Sequence, residues 1–516
     1  MKYLNIIFCC LLAQSSFGFY STNGNKILDN KGKEIRIKSI NIPFEKSGQI
    51  NTLTASDYQN IIALHFNTVE LSFTFPQIDK NQNMIPDAPA MKWLSEQVKL
   101  ASQNQLSVII NLDEQSIELN SSSSIVYWQD IRTQSNFLRI WSFITKSYKN
   151  NPTVIGYNIL PNYEKGINTK KYSFILSTAN KSIRDIDTNH ILFINGAELF
   201  TQNEELKLSI NKNIVLLYSL FDPIEFTQQK TAWAVSKSSE KYPNYKKVSF
   251  PADLNYHSAT WGDSTYFSGS RDMTNYKEVK QLINDSTIVA AIPVIEASNI
   301  GLQGEVIIQA LIVTEYDANG KNIGQTTIEP GALKDITFDT EGKMSQYKIR
   351  LNYTFDQRDV FQILATEGKG VLYLNDAKFV VQQGHYYSIS GYIKPYLTNL
   401  DSKVRLSLHF LKSPSGLKPV GRDKQLLINI IKKHKKTATK LDVPVMIGQC
   451  GIYNTALKTS SSAISYIKDL KEVIQTQQIS FNLLSYNGDG YGLLQAELYK
   501  GKAKKTQIEL LNFLKK

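Results

Sequence analysis

The chain has 516 residues and a formal net charge of +12. At roughly 150 residues per domain this length admits two or three domains, or one large barrel with a smaller companion. The charge comes from lysines spread along the chain and concentrated at Lys432-Lys433-His434-Lys435-Lys436 and at the C-terminus; on a helix such a run reads as a solvated face, which argues against a nucleic-acid-binding class and leaves a weak affinity for anionic surfaces.

At the N-terminus, Lys2 precedes the apolar stretch Leu4–Ala13, and Ser16-Phe17-Gly18 offers small residues where a signal peptidase cuts. Residues 1–18 therefore read as a removed export signal, with a short membrane anchor as the alternative, and the product is expected in a periplasm, at a cell surface or in the medium. No later stretch approaches the ~20 uninterrupted apolar residues of a membrane span. Cys9 and Cys10 leave with the signal, so Cys450 stands alone and no internal disulfide is expected.

From residue 19 to about 250, short β-rich runs alternate with helical patterns. Strands are predicted over Ile35–Ile40, Asn67–Phe73, Ser107–Leu112, Val154–Leu160, His190–Asn195 and Asn213–Phe221. Helices are predicted over Ser56–Leu64, Ala90–Gln103, Trp128–Tyr148 and Lys171–Ile186. Strands spaced by helices of that length imply parallel βαβ units. Over residues 251–415 the pattern becomes all-β, with strands at Thr287–Ala297, Glu305–Tyr316, Ile323–Ile328, Gln346–Phe355, Val360–Ala365, Val371–Val381, Tyr386–Lys394 and Val404–Leu411. Such alternation suggests a jelly-roll-like β-sandwich. Over residues 416–516 the α/β pattern resumes, with helices Arg422–Lys440 and Ser461–Gln477 and strands Val443–Gln449 and Ser480–Ser485. The expected fold is a (β/α)8 barrel with a β-sandwich inserted after its sixth strand.

Several segments resemble glycoside hydrolase family 5. Gly24–Asn41 is similar to that family's opening D-x-x-G-K turn and asparagine-ended strand, Val154–Tyr163 to its fourth strand and Val443–Gly451 to its seventh. Asn213–Trp233, NIVLLYSLFDPIEFTQQKTAW, resembles its sixth-strand segment most specifically. The resemblance covers roughly residues 20–250 and 415–500. It implies a barrel that splits O-glycosidic bonds with two carboxyl groups ~5 Å apart, one attacking the sugar and one protonating the leaving oxygen, both at the C-terminal ends of strands.

At the implied acid position stands Asn162, in Leu160-Pro161-Asn162-Tyr163, and at the implied nucleophile position Gln449, in Gly448-Gln449-Cys450-Gly451. Neither amide titrates. The supporting positions differ as well: Glu70 replaces a second-strand arginine, Asp113 a histidine, Ser219 and Phe221 a histidine and a tyrosine, and Leu483 or Leu484 a tryptophan. The resemblance thus implies a barrel that binds a glycan without cleaving it, through aromatic mouth residues drawn from Trp128, Tyr163, Phe226, Trp233, Tyr486 and Tyr491, of which Trp233 sits in the best-matched motif; core packing is the alternative for each.

Two other readings stand beside it. Acids could have moved, with Glu70, Asp113 and Glu164 as candidate replacements able to divide acid and base roles, or the fold could serve as a scaffold for a protein partner. Cys450 follows the nucleophile position and, by strand alternation, should face the helices, buried and inert. His65 and His190 read as structural. No metal-ligand spacing, P-loop or dinucleotide fingerprint is present in the sequence, so no metal and no cofactor are expected. Tyr386, Tyr387, Tyr392 and Tyr396 are candidate glycan contacts on the sandwich, half of them directed to its core by alternation.

Overall fold

The computed structural model describes residues 18–81, 83–113, 131–160, 169–195, 213–231, 239–250, 254–261, 267–268, 274–277, 280–341, 344–353, 358–366, 368–413, 416, 418–457, 460–488 and 490–492. The described residues fall into two compact units, Val248–Val420 and the chain on either side of it. The proposed export signal lies, but for Gly18, outside the described residues.

Along the chain come strand β1 (Lys38–Pro43), helix α1 (Ala55–Ala63), β2 (Thr68–Thr74), α2 (Ala88–Gln103), β3 (Ser107–Asp113), α3 (Ile131–Tyr148), β4 (Val154–Leu160), α4 (Thr169–Arg184), β5 (Ile191–Asn195) and β6 (Ile214–Leu220). The strands that follow include β7 (Ile288–Ser298), β8 (Glu305–Tyr316), β9 (Arg358–Thr366), β10 (Tyr386–Tyr396) and β11 (Lys403–Lys412). Then come α5 (Lys424–Leu441), β12 (Val445–Cys450), α6 (Ser460–Gln477) and β13 (Ser480–Leu483). Strands β1 to β6, β12 and β13 close into a barrel in the order β6-β12-β13-β1-β2-β3-β4-β5, every neighbouring pair parallel. This is the (β/α)8 architecture expected from the alternation of strands and helices.

Strand alternation sorts the apolar side chains into two layers. In β6, Ile214, Leu216, Tyr218 and Leu220 belong to the core beneath the helices, whereas Val215 and Leu217 point the other way and join Ile109, Ile155, Phe193 and Met446 in a second core that fills the lumen. Both faces of such a strand are covered, which is why it reads as an unbroken apolar run. Gly156 makes room for the largest lumen residue, since a Cβ there would lie 2.7 Å from a ring carbon of Phe193. The strand predicted at Ile35–Ile40 begins later, at Lys38, because the Ile35 amide is held by the Ile27 carbonyl of the N-terminal hairpin at 2.9 Å. Helix α5 starts at Asp423, whose carboxylate accepts from the Gln425 amide at 2.9 Å, and ends at Asp442 in the left-handed region. Leu427, Ile431 and Ala438 form its buried stripe, while Lys432, Lys435 and Lys436 are exposed. His434 stacks on Tyr218 with ring centroids 3.9 Å apart.

The second unit is a β-sandwich of two antiparallel sheets. One is built on β11, β7 and the strand Lys369–Leu374, the other on β10, β8, β9 and the strand Met344–Tyr353. Their facing side chains form a shared core that includes Ala291, Ile295, Leu406 and Leu408 from the first sheet and Ile308, Phe361, Ile389 and Ile393 from the second. The strand predicted as Val371–Val381 is broken: Asn375-Asp376-Ala377 forms a 3-10 turn, where the Asp376 carboxylate accepts from the Lys334 and Asp335 amides and draws the chain out of the ladder.

Candidate functional site

The C-terminal half of the lumen is polar. Glu70 in β2 points inward at the height where the apolar filling stops, and it is 2% exposed. An ionised carboxylate taken out of water needs hydrogen bonds to both oxygens, and four asparagine amides from four other strands supply them. Asn41 of β1, Asn111 of β3 and Asn482 of β13 donate to its Oε1 at 3.0, 3.1 and 2.8 Å. Asn158 of β4 donates to Oε2 at 3.1 Å. The cage extends outward: Asn41 also donates to Ser72 Oγ at 2.9 Å, and Asn482 to the Gly448 carbonyl at 3.1 Å, which ties Glu70 to the residue before Gln449. Because the amide nitrogens are turned to the carboxylate, the carbonyl oxygens of Asn111, Asn158 and Asn482 are left, among the described residues, without a hydrogen-bond partner. The lumen at this level is therefore rich in acceptors, and the four asparagine donors converge on Glu70.

Gln449 lies opposite Ser219 in the β6–β12 register and is 8% exposed. The preceding Gly448 is required by packing, for a Cβ there would sit 2.9 Å from Leu217 Cβ. Cys450 faces the helices, inside the outer core, and donates to the Asn482 carbonyl at 3.4 Å. Burial pushes its thiol up to about 12, so at neutral pH it is protonated and no nucleophile.

Of the candidate replacement acids, only Glu70 has a described side chain. Asp113 ends β3 opposite Thr74; its side chain, and the whole of Glu164, lie outside the described residues, as do Asn162, Trp128, Tyr163 and Trp233. The remaining mouth candidates are placed. Phe226 is 1% exposed and packs against Tyr242 and Tyr466, centroids 5.7 and 5.8 Å away, so its ring serves the outer core. Tyr486, also 1% exposed, donates to Asp57 Oδ1 at 3.1 Å and closes the core over α1. Tyr491 is half-buried between Phe221 and Tyr453, centroids 5.7 and 5.1 Å away; burial raises its phenol above the ordinary range.

Sequence reasoning did not single out the four asparagines as a set. Their signal is an asparagine at a lumen-facing position of four strands, with one acid at the same height on a fifth. It also passed over Asp222, just beyond β6. Burial and then the neighbouring Glu225 raise its carboxyl, with Arg422 partly opposing; Arg422 itself pairs with Glu225 at 2.9 Å. Burial, then Cys450 and Asp222, raise the phenol of Tyr466 in the outer core. Among the described residues no group of three or more His, Cys, Asp or Glu could hold a metal ion, and no helix is long and apolar enough to cross a membrane.

A closed parallel barrel whose lumen is apolar below and polar at the C-terminal ends of its strands has the layout in which a (β/α)8 enzyme fold carries its site. Residues 28–285, half of the chain, match the model of Cellulase (glycosyl hydrolase family 5), and the chain belongs to that family. It is similar to Endoglucanase C of Acetivibrio thermocellus, 23% identical over 231 residues, which span 41% of this chain and 67% of the relative. Endoglucanase C307 of Clostridium sp. (strain F1) matches to the same extent. Among solved structures, Thermotoga maritima Cel5A in complex with mannotriose aligns over 92% of this chain and 97% of its own at 14% identity and a TM-score of 0.47.

Proposed function

We propose that this chain is an exported family 5 barrel that binds a glycan chain without hydrolysing it. The observation that carries the reading is the chemistry at the strand ends: the implied nucleophile position is the amide Gln449, and the one described acid that faces the lumen, Glu70, is committed to four amide donors. General acid catalysis is worth 10²–10⁴ in rate, and a covalent nucleophile adds a further large factor. With Asn162 at the implied acid position both contributions are lost. Binding needs neither. Sugars are held by aromatic faces that cover the apolar side of a pyranose ring and by hydrogen bonds, and neither needs a proton to move. The names of the matched relatives, both endoglucanases, make a β-glucan the first ligand to try.

The rival with relocated acids loses support at Glu70. A group that shuttles protons must reach substrate, and this one is 2% exposed. The scaffold reading, in which a protein partner is the ligand, has no described feature in its favour. The test pairs calorimetric binding of cello- and manno-oligosaccharides with a sensitive reducing-sugar assay on the same glycans. Binding with turnover at background is the expected result; cleavage that survives Asn162→Ala and Gln449→Ala but is lost in Glu70→Gln would overturn it in favour of relocated acids. Restoring the single acid by Gln449→Glu is expected to leave turnover at background, because the proton donor is still missing.

A further inference from the structure

Single exposed leucines are ordinary on a protein surface. At one end of the sandwich three of them come together. Leu302, Leu397 and Leu400 are 78, 79 and 94% exposed, the highest values of any large apolar side chain among the described residues. Leu302 lies in the arch between β7 and β8, and Leu397 and Leu400 lie in the arch between β10 and β11. Both arches cross from one sheet to the other, and they touch, for the Asn399 amide donates to the Ile300 carbonyl at 3.1 Å.

The arches hold their shape without the leucines. The Asn299 amide donates to the Gly368 carbonyl, the Gly304 amide to the Gly301 carbonyl and the Ser402 amide to the Asn399 carbonyl, each at 3.1 Å. The Asn299 side chain donates to Asp401 at 3.0 Å. Ile300 turns into the shared core, so the first arch sends one apolar side chain inward and Leu302 outward. Leu397 has a φ of 47°, in the left-handed region that suits glycine or asparagine and that bulky side chains seldom adopt. Nothing in the fold buries this leucine in return.

We propose that this end of the sandwich inserts Leu302, Leu397 and Leu400 into the surface of a lipid bilayer and anchors the chain there peripherally. Three leucines fall short of the ~800 Å² that each partner contributes to a stable protein interface, and side chains that project from loop tips offer no concave seat. A bilayer makes neither demand, because each leucine gains from burying its own apolar area at the acyl boundary. Amides already bonded within and between the arches enter that boundary without stranded donors. The charges behind the leucines do not oppose it. Among the described side chains of the adjoining strand ends, Arg405 pairs with the buried Glu296 at 2.8 Å, and Lys369, Lys394 and Lys403 outnumber Glu305 and Asp401, so neither zwitterionic nor anionic headgroups are repelled. The anchor is independent of the glycan reading of the barrel.

The test is flotation of the full chain with vesicles of phosphatidylcholine, alone and mixed with phosphatidylglycerol. The expected result is binding to both that persists in high salt, which screens surface charge. Leu302→Ser and Leu400→Ser should each weaken partitioning at least about tenfold, as the loss of one buried leucine implies. Leu397→Asn should do the same without lowering the melting temperature, since asparagine accepts the left-handed backbone. Phe174→Ser, at the next most exposed apolar side chain, 64% exposed on α4, should bind like wild type. No flotation with either vesicle would overturn the proposal, as would flotation that the three leucine variants leave unchanged. Binding confined to phosphatidylglycerol and lost in salt would reduce the effect to the +12 charge of the chain and overturn it too. Self-association in sedimentation that Leu400→Ser abolishes, with no vesicle binding, would assign the leucines to a second copy of the chain instead.

Discussion

Glu70 and Asp187 are both 2% exposed carboxyl groups in the same unit, and the barrel keeps them by opposite means. Glu70, in the lumen, is surrounded by neutral amides on four strands. Asp187, in the loop between α4 and β5, has its Oδ2 2.5 Å from His190 Nδ1 and accepts from the Tyr157 hydroxyl at 2.9 Å, while its Oδ1 takes the Asn189 and His190 amides. Burial alone would raise the Asp187 carboxyl, yet the His190 hydrogen bond and charge, with the Asn189 amide and Tyr157, bring it below its ordinary value. A cage of amides surrounds its carboxyl group with donors that do not titrate. A buried carboxyl whose pKa is lowered in the folded chain makes stability depend on pH. The first arrangement suits a site that must present the same acceptors under varied conditions, the second an internal fastening between a helix and a strand.

The largest effect should come from emptying the amide cage. Glu70→Ala would leave four buried N–H donors facing a void, and at about 1–3 kcal/mol for each buried group left unsatisfied the urea-unfolding free energy should fall by at least about 3 kcal/mol even if water enters. Glu70→Gln sharpens the comparison: its single amide oxygen can still take the Oε1 donors, but its NH2 would face Asn158, so the loss should be about 1–3 kcal/mol. A loss below about 1 kcal/mol in Glu70→Ala would mean that the carboxylate is not what holds these strands in register.

At Asp187 the effect is smaller and depends on pH. An acid whose folded pKa is depressed adds stability above its unfolded value, about 3.9, and loses it as pH falls through the folded value. Asp187→Asn should therefore cost about 1.5–3 kcal/mol at pH 7, the worth of hydrogen bonds to a charged group, and the gap to wild type should close only below about pH 3.9. Unfolding curves at several pH values would show this. A gap constant down to pH 2.5 would assign the loss to shape and not to charge.

The barrel was legible because its strands are apolar on both faces and its helices amphipathic, two periods that do not mimic each other. The site was legible only one residue at a time. Glu70 and Gln449 stand out by position, but an asparagine in a strand looks the same whether it meets solvent or a buried carboxylate, so the convergence of Asn41, Asn111, Asn158 and Asn482 became visible only with the strands in register. Phe226 and Tyr486 show the converse. Aromatic residues just past strand ends were expected at the mouth, yet short turns folded them back, Phe226 against Tyr466 and Tyr486 onto Asp57. In the sandwich, the short strand Thr274–Lys277 and the edge strand Ile336–Glu341 carry too few alternations to stand out from loops. The 3-10 turn at Asn375 owes its place to Asp376 and its partners at Lys334 and Asp335, some 40 residues away in sequence.

Asp222 completes the comparison as an acid with neither device. No amide cage surrounds it, and its environment of burial and the nearby Glu225 raises its carboxyl. The sign is then opposite to that of Asp187: the folded chain holds this proton to higher pH than the unfolded one, so stability falls as pH rises from about 3.9 to the folded value, and above it the ionised group is a fixed cost. Asp222→Asn should remove that cost and leave the protein slightly more stable than wild type at pH 7, while the two should unfold alike at pH 3. Thermal melts at both pH values decide the matter. If the asparagine variant melts lower at neutral pH, then Arg422, held beside it by Glu225 at 2.9 Å, outweighs burial, and Asp222 belongs with Asp187 among the acids that stabilise the barrel.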